Sequence, residues 1–263
     1  MKIMIDPGHG GRDPGACANG LKEKDLNLKL ALMVRERLKK YKCTTNMTRT
    51  TDVYLSLPGR TTAANRWGAA YFISLHVNAT AGSNGGYEDY IYIGLSDTGT
   101  TAKIRNAIHA KVAKVWTDAG RPSRGKKKKN QHVLRETSMP AMLMENGFID
   151  NAADARLLRD ANFFNRLAEA ITAGLATGLG LQLREVIPSP TPPPKPPPKP
   201  PAKPKPPTAK PSKYNVMDAI RAMQAVVGKV QLSAEEAKHL DANGDGKITV
   251  QDAILILQKI VGK

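Results

Sequence analysis

The sequence predicts a three-layer α/β domain, with a largely parallel twisted sheet flanked by helices, followed by a small all-α domain. Three observations carry this prediction. Short apolar runs alternate with longer segments of helical period, the signature of strands connected by helices. A proline- and lysine-rich stretch then interrupts the chain, as in Pro192-Pro193-Pro194-Lys195-Pro196-Pro197. Beyond it, Val216 to Lys229 recurs as Val250 to Lys263, sharing Val216/Val250, Asp218/Asp252, Ile220/Ile254 and Gln224/Gln258, so two copies of one helical unit are expected to pack face to face. At 263 residues the chain has room for one larger domain and a smaller companion. The expected boundaries are residues 1–181 for the α/β domain, 182–213 for a semi-rigid polyproline spacer and 214–263 for the repeat.

The elements follow in order. Lys2-Ile3-Met4-Ile5-Asp6 reads as a strand that breaks at Pro7-Gly8, which leaves His9 on a glycine-rich loop past a strand's carboxyl end, where open α/β sheets place their sites. Asp25 to Tyr41 carries apolar residues among charges and fits a helix. Cys43 to Thr48 reads as a strand, Leu57 to Trp67 as a helix, and Tyr71-Phe72-Ile73-Ser74-Leu75-His76 as a buried strand with a histidine at its end. Tyr87 to Ile93 alternates as a strand, Thr100 to Ala119 has helical period, and Gln131 to Leu134 reads as a short strand. Pro140 to Glu145 is the last strand and ends in a carboxylate. Helices over about 152–159 and 162–179 close the domain, the second stopping at Gly178 and Gly180.

Charge narrows the partners. Forty Lys and Arg against 23 Asp and Glu give a formal net charge of +17, and the excess belongs to residues 1–213, because 214–263 are balanced. An anionic partner is expected. Aromatic residues make up 5% of the chain, which offers little stacking surface for single-stranded nucleic acid, and no apolar run is long enough to insert in a membrane. The run Lys126-Lys127-Lys128-Lys129 falls in an expected loop, either simply solvated or in contact with an anionic polymer. Cys17 and Cys43 lack zinc-knuckle spacing and read as structural thiols. Met1 leads directly into a strand with no secretory signal, so synthesis in the cytoplasm and action elsewhere after release is the expectation.

His9, His76 and Glu145 all fall at strand ends, and Glu23 opens the first helix. Zinc hydrolases commonly use two imidazoles and a carboxylate as ligands and station a second carboxylate nearby. Singly, Glu23 also reads as a first-turn helix acid, and Glu145 as a buried acid paired to an arginine such as Arg135. His109 reads as a packing or surface residue and His132 as a groove residue without a ligand role. Arg60 and Asn78 are candidates for contacting substrate or orienting ligands. Together, Asp6-Pro7-Gly8-His9-Gly10-Gly11, Glu23, Ser74-Leu75-His76-Val77-Asn78 and the segment from Pro140 through Glu145 to Asn151 resemble, in order, the motifs of the zinc-dependent N-acetylmuramoyl-L-alanine amidases of the third amidase family. The resemblance spans residues 1 to about 181. It implies peptidoglycan as substrate, zinc held by His9, Glu23 and His76, and Glu145 as the catalytic acid–base that takes a proton from water and returns it to the leaving amine.

In the tail, Asp241 to Asp252 fits a calcium loop, with Asp241, Asn243 and Asp245 as side-chain ligands, Lys247 through its backbone carbonyl, Gly246 at the sharp turn and Asp252 at the twelfth position. The paired repeat and the aspartate at position twelve resemble a dockerin module more than an ordinary EF-hand. The first copy places Pro207, Ala209 and Pro211 where oxygen donors belong, so one calcium site is expected, and a cohesin or another protein is a candidate partner. The reading is therefore a peptidoglycan amidase of phage or prophage endolysin type. Its alternatives are a dockerin-type assembly protein and a zinc peptidase that cuts within the stem peptide.

Overall fold

The computed structural model describes residues 1–81, 84–184 and 213–261. Almost all of the expected spacer, and Gly262 and Lys263 of the repeat, lie outside the described residues. The chain divides into two compact units, with the boundary between Ile187 and Pro188.

The first unit opens with strand β1 (Lys2–Pro7), a small hairpin of β2 (Cys17–Ala18) and β3 (Leu21–Lys22), and helix α1 (Glu23–Leu38). Strand β4 (Thr44–Met47), helix α2 (Leu57–Trp67), β5 (Tyr71–Asn78) and β6 (Tyr87–Tyr92) follow. Helix α3 (Thr100–Asp118), β7 (Ser123–Lys129), the short helix α4 (His132–Arg135), β8 (Ala141–Phe148), α5 (Ala152–Arg159) and α6 (Ala161–Leu179) complete it. The larger sheet has the order β4-β1-β5-β8-β6-β7. Every pairing in it is parallel except β6 with β8.

Side-chain parity sorts the sheet into two buried faces. Ile3, Ile5, Tyr71, Ile73, Leu75, Met142 and Met144 pack with residues of α1, α3 and α6. Met4, Phe72, Ala141 and Leu143 face the other way, with Ala64 of α2 and Val133 and Leu134 of α4. Three layers result, as expected. The second face becomes polar toward the carboxyl ends of β1, β5 and β8, where Asp6, Ser74, His76 and Glu145 continue the same parity. A register irregularity between β5 and β8 falls just beyond, between His76 and Asn78, a device that commonly re-aims side chains beside a site.

Two local expectations fail. Lys126 to Lys129 is not a loop but the end of edge strand β7. Pairing with β6 satisfies the backbone groups on its inner side, while the Lys127 and Lys129 ammoniums lie 5.9 and 5.6 Å from the centre of the Tyr90 ring and Lys128 pairs with Asp97; lysines on an edge discourage pairing with a further strand. Gln131 to Leu134 is not a strand, because the carbonyl of Gln131 caps a helical turn by accepting from Leu134 and Arg135. Cys43 is buried, whereas Cys17 is exposed.

The second unit contains α7 (Val216–Val226), α8 (Ala234–Leu240) and α9 (Val250–Ile260). Asn215 begins α7 and Thr249 begins α9, each in a capping box with an aspartate three residues on, so the repeat is structural as well as sequential. Ala219, Ala222, Leu240, Ala253 and Ile256 form its buried centre with Tyr214. Among the described residues of both units, no helix is long and apolar enough to cross a membrane.

Candidate active site

The loop after β1 is held from below. Asp6, fully buried, accepts hydrogen bonds from Arg60 at 2.8 Å, Thr48 at 2.6 Å and Ser74 at 2.7 Å. Burial opposes its charge, but Arg60 and the two hydroxyls outweigh it and hold the carboxyl below its ordinary range. Arg60 reaches on to the carbonyls of Pro7 and His9, each at 2.7 Å, and Arg49 donates to the carbonyls of Pro7 and Gly8. These two guanidiniums satisfy a loop that cannot make sheet bonds. His9 takes a left-handed backbone with φ 60°, a conformation that costs about 1 kcal/mol or more for a residue with a side chain. Gly8 is needed for a different reason: a Cβ there would lie 2.2 Å from the His76 ring.

Three of the sequence-predicted residues meet at this loop. His9, Glu23 and His76 each offer a ligand atom, and these atoms lie within 4.8 Å of one another. His76 Nδ1 is 2.9 Å from Glu23 Oε1 and His9 Nε2 is 3.1 Å from Glu23 Oε2. Asp13 Oδ2 sits 2.8 Å from His9 Nδ1 and fixes the ring from behind, the role an outer carboxylate plays for a ligand imidazole. Burial disfavours charge on His9, yet the bonds to Glu23 and Asp13 raise its pKa to about 9. His76 is raised by the same competition, and Glu23 is driven well below the carboxylate range by the two imidazoles. The cluster thus holds itself together with protons. Two ring nitrogens and a carboxylate are a zinc-type donor set, and a divalent cation would take over the charge that those protons supply.

Glu145 lies on β8 directly opposite His76 on β5, and Glu88 on β6 is opposite Glu145 in turn. Burial pushes Glu145 up, His76 opposes, and Glu23 and Glu88 add to the rise, to about 7. Its Oε2 is covered and has no hydrogen-bond partner. The alternative pairing with Arg135 does not occur, since that guanidinium is engaged by Glu136 and Asn130. The result is a carboxyl next to the imidazole and carboxylate cluster, held by neither, with a pKa suited to exchanging protons near neutrality. A cleft of about 210 Å³ opens beside the two imidazoles, lined in part by His9, His76, Arg60, Gln131 and His132.

Other residues take plainer places. His109 pairs with buried Asp89 at 2.5 Å and stands apart from the cluster. His132 lines the cleft but belongs to no ligand group among the described residues. Asn78 donates to Glu88 rather than facing a ligand. In the second unit, Asp241, Asn243, Asp245, Lys247 and Asp252 share one loop. Asp241 accepts from the N–H groups of Gly244, Asp245 and Gly246, and Asp252 from those of Ala242, Asn243 and Thr249. Their carboxylates turn onto backbone rather than toward one another, and among the described residues the His9, Glu23, His76 group is the one cluster of three such ligands. Sequence reasoning missed Asp6, Asp13, Arg49 and Glu88. The signal for Asp6 was a charged residue inside an otherwise apolar strand.

Known proteins match the first unit. The sequence profile of the N-acetylmuramoyl-L-alanine amidases (Amidase_3) matches residues 3–177. The N-acetylmuramoyl-L-alanine amidase CwlM of Bacillus licheniformis is 48% identical over 183 residues, covering 69% of this chain and 70% of that protein. The endolysin of Bacillus phage SPP1 is 41% identical over 181 residues, covering 68% and 66%. Among solved structures, the catalytic domain of CwlV, an amidase from Bacillus (Paenibacillus) polymyxa var. colistinus, superposes with a TM-score of 0.64 at 34% identity, covering 69% of this chain and 99% of that one.

Proposed function

The chain belongs to the N-acetylmuramoyl-L-alanine amidase family, and from that premise we propose how its residues divide the work. It is a peptidoglycan hydrolase that cleaves the amide between N-acetylmuramic acid and L-alanine. The observation that carries the division of labour is Glu145, an unbonded carboxyl opposite His76 and beside the convergent trio. His9, Glu23 and His76 would hold zinc, which would supply a Lewis acid for the scissile carbonyl and make water more acidic. Asp13 orients His9, and the Asp6–Arg60 pair fixes the loop carbonyls behind it. Glu145 accepts the proton of the attacking water and delivers it to the nitrogen of L-alanine, which leaves as an amine. Glu145→Ala is expected to retain zinc and lose turnover. Mass analysis of digested cell walls tests the reaction: released peptides beginning with L-alanine support it, and cuts within the peptide support a zinc peptidase instead.

For the second unit, the reading is a dockerin-like module with one structural calcium ion at Asp241, Asn243, Asp245, the Lys247 carbonyl and Asp252. Gly244 and Gly246, with φ near +80°, let the loop turn between oxygen donors, which suit a hard cation. Calorimetric titration should give one equivalent of calcium per chain; two would refute the assignment. A cohesin or other protein partner for this module, anionic wall polymers as additional contacts of the basic first unit, and action at the bacterial wall as a lytic enzyme of endolysin type complete the proposal. Wall hydrolysis that persists without any bound protein partner separates this enzyme from an assembly protein.

A further inference from the structure

The lysine run of β7 has no part in the zinc and acid–base reading, but strand parity divides it. His76, Glu145 and Glu88 stand opposite one another on β5, β8 and β6, and Tyr90 shares the face of Glu88 two residues on. Tyr90 and Tyr92 pair in register with Lys127 and Lys129, so these two lysines project from the catalytic face of the sheet. Lys126 and Lys128 project from the other, where Lys128 meets Asp97. Glu88 is nearly covered and accepts from Asn78, Tyr90, Arg124 and Lys127. One carboxylate therefore anchors two cations. Lys129 adds a third, set over the Tyr90 ring at 5.6 Å, exposed, and without a carboxylate partner among the described residues. Its field reaches the catalytic acid, whose pKa it lowers.

We propose that Lys129, backed by Arg124 and Lys127, forms a subsite for the carboxylate of the residue that follows L-alanine in the peptide of the substrate. The inference rests on the amidase reading and names which half of the substrate lies where. Glu145 hands its proton to the nitrogen of L-alanine, so the peptide leaves on the Glu145 side of the scissile bond, toward β6 and β7. Lys129 springs from the position opposite Tyr92 but leans back over the Tyr90 ring, and Tyr90 stands one strand spacing across and two residues along from Glu145, which puts the ammonium on the order of 10 Å from the catalytic carboxyl. That is the reach of one alanine and the side chain after it, at roughly 3.5 Å per extended residue. Three cations against one buried carboxylate leave the patch positive, and a substrate carboxylate completes it.

The test uses the full-length zinc-loaded protein and two N-acetylmuramoyl-L-alanyl peptides that differ only in whether the residue after alanine carries a carboxylate or its carboxamide. The expected result is a preference for the carboxylate of about fivefold in kcat/KM, residing in KM, as suits a partly exposed charge pair. Lys129→Ala should abolish that preference by weakening the carboxylate substrate, and Lys129→Arg should keep it. Lys126→Ala, on the opposite face, should keep it too. Equal cleavage of both substrates by the wild type, or an equal loss on both in Lys129→Ala, overturns the subsite alone. Failure of the wild type to release an alanine-terminated peptide from either substrate overturns the amidase reading and the subsite with it.

Discussion

Replacing Glu145 by glutamine should make the metal-free protein more stable above neutrality while destroying its activity. The carboxyl is raised from an ordinary value of 4.5 to about 7 by burial and by its acidic neighbours. Between those values the folded protein keeps a proton that the unfolded chain has lost, so stability falls as pH rises through that window and stays lower above it. The span from 4.5 to 7, at about 1.4 kcal/mol per unit, sets an upper bound of about 3 kcal/mol. Glu145 is only half-buried within β8, so about 1–2 kcal/mol is the realistic gain from an isosteric neutral side chain. Denaturant unfolding followed by tryptophan fluorescence reads the right unit, since Trp67 and Trp116 both belong to the first. At pH 8 Glu145→Gln should be the more stable protein, at pH 4 the two should coincide, and turnover should fall about 10²-fold to 10⁴-fold. A variant less stable than its parent at pH 8, or a gain that persists unchanged at pH 4, refutes the argument.

Arg60→Ala leaves buried Asp6 without its cation, the His9 carbonyl without its donor and the Pro7 carbonyl with Arg49 alone; a loss of about 3 kcal/mol or more in denaturant unfolding is expected, with Arg60→Lys intermediate. Gly8→Ala drives a methyl group into the His76 ring, so zinc affinity measured against a chromophoric chelator should fall at least about tenfold while tryptophan fluorescence still reports a folded unit. Zinc binding at pH 7 should release at least one proton, because the metal-free cluster keeps His9 protonated up to about pH 9 and a ligand imidazole must be neutral. Calorimetry in buffers of different ionisation enthalpy measures that release, and affinity should climb with pH up to about 9; a proton-independent enthalpy would show that His9 is not a ligand.

The alternation of strands and helices was legible because apolar period and glycine and proline punctuation are local properties. The four chemical residues were legible because each falls at the end of an apolar run or the start of a helix. The lysine run and Gln131 to Leu134 misled for the same reason: four like charges carry no period, and two adjacent apolar residues fit a strand or a helical turn equally well. Edge pairing with β6 decided the first, and the Gln131 carbonyl decided the second. The sequence also named His9, Glu23, His76 and Glu145, but not the bonds and pairings that bring them together. Contact came from register, which places His76, Glu145 and Glu88 in one row across three strands, and from the Arg60 and Arg49 bonds that hold the His9 loop open. Local patterning, which depends on neighbours along the chain, determined by itself the order of elements and the kinds of chemistry. Only the tertiary structure decided which carboxylate keeps its proton, which lysine faces the catalytic side and which arginines hold the loop, because these depend on the desolvation and charge of residues dozens of positions away in the chain.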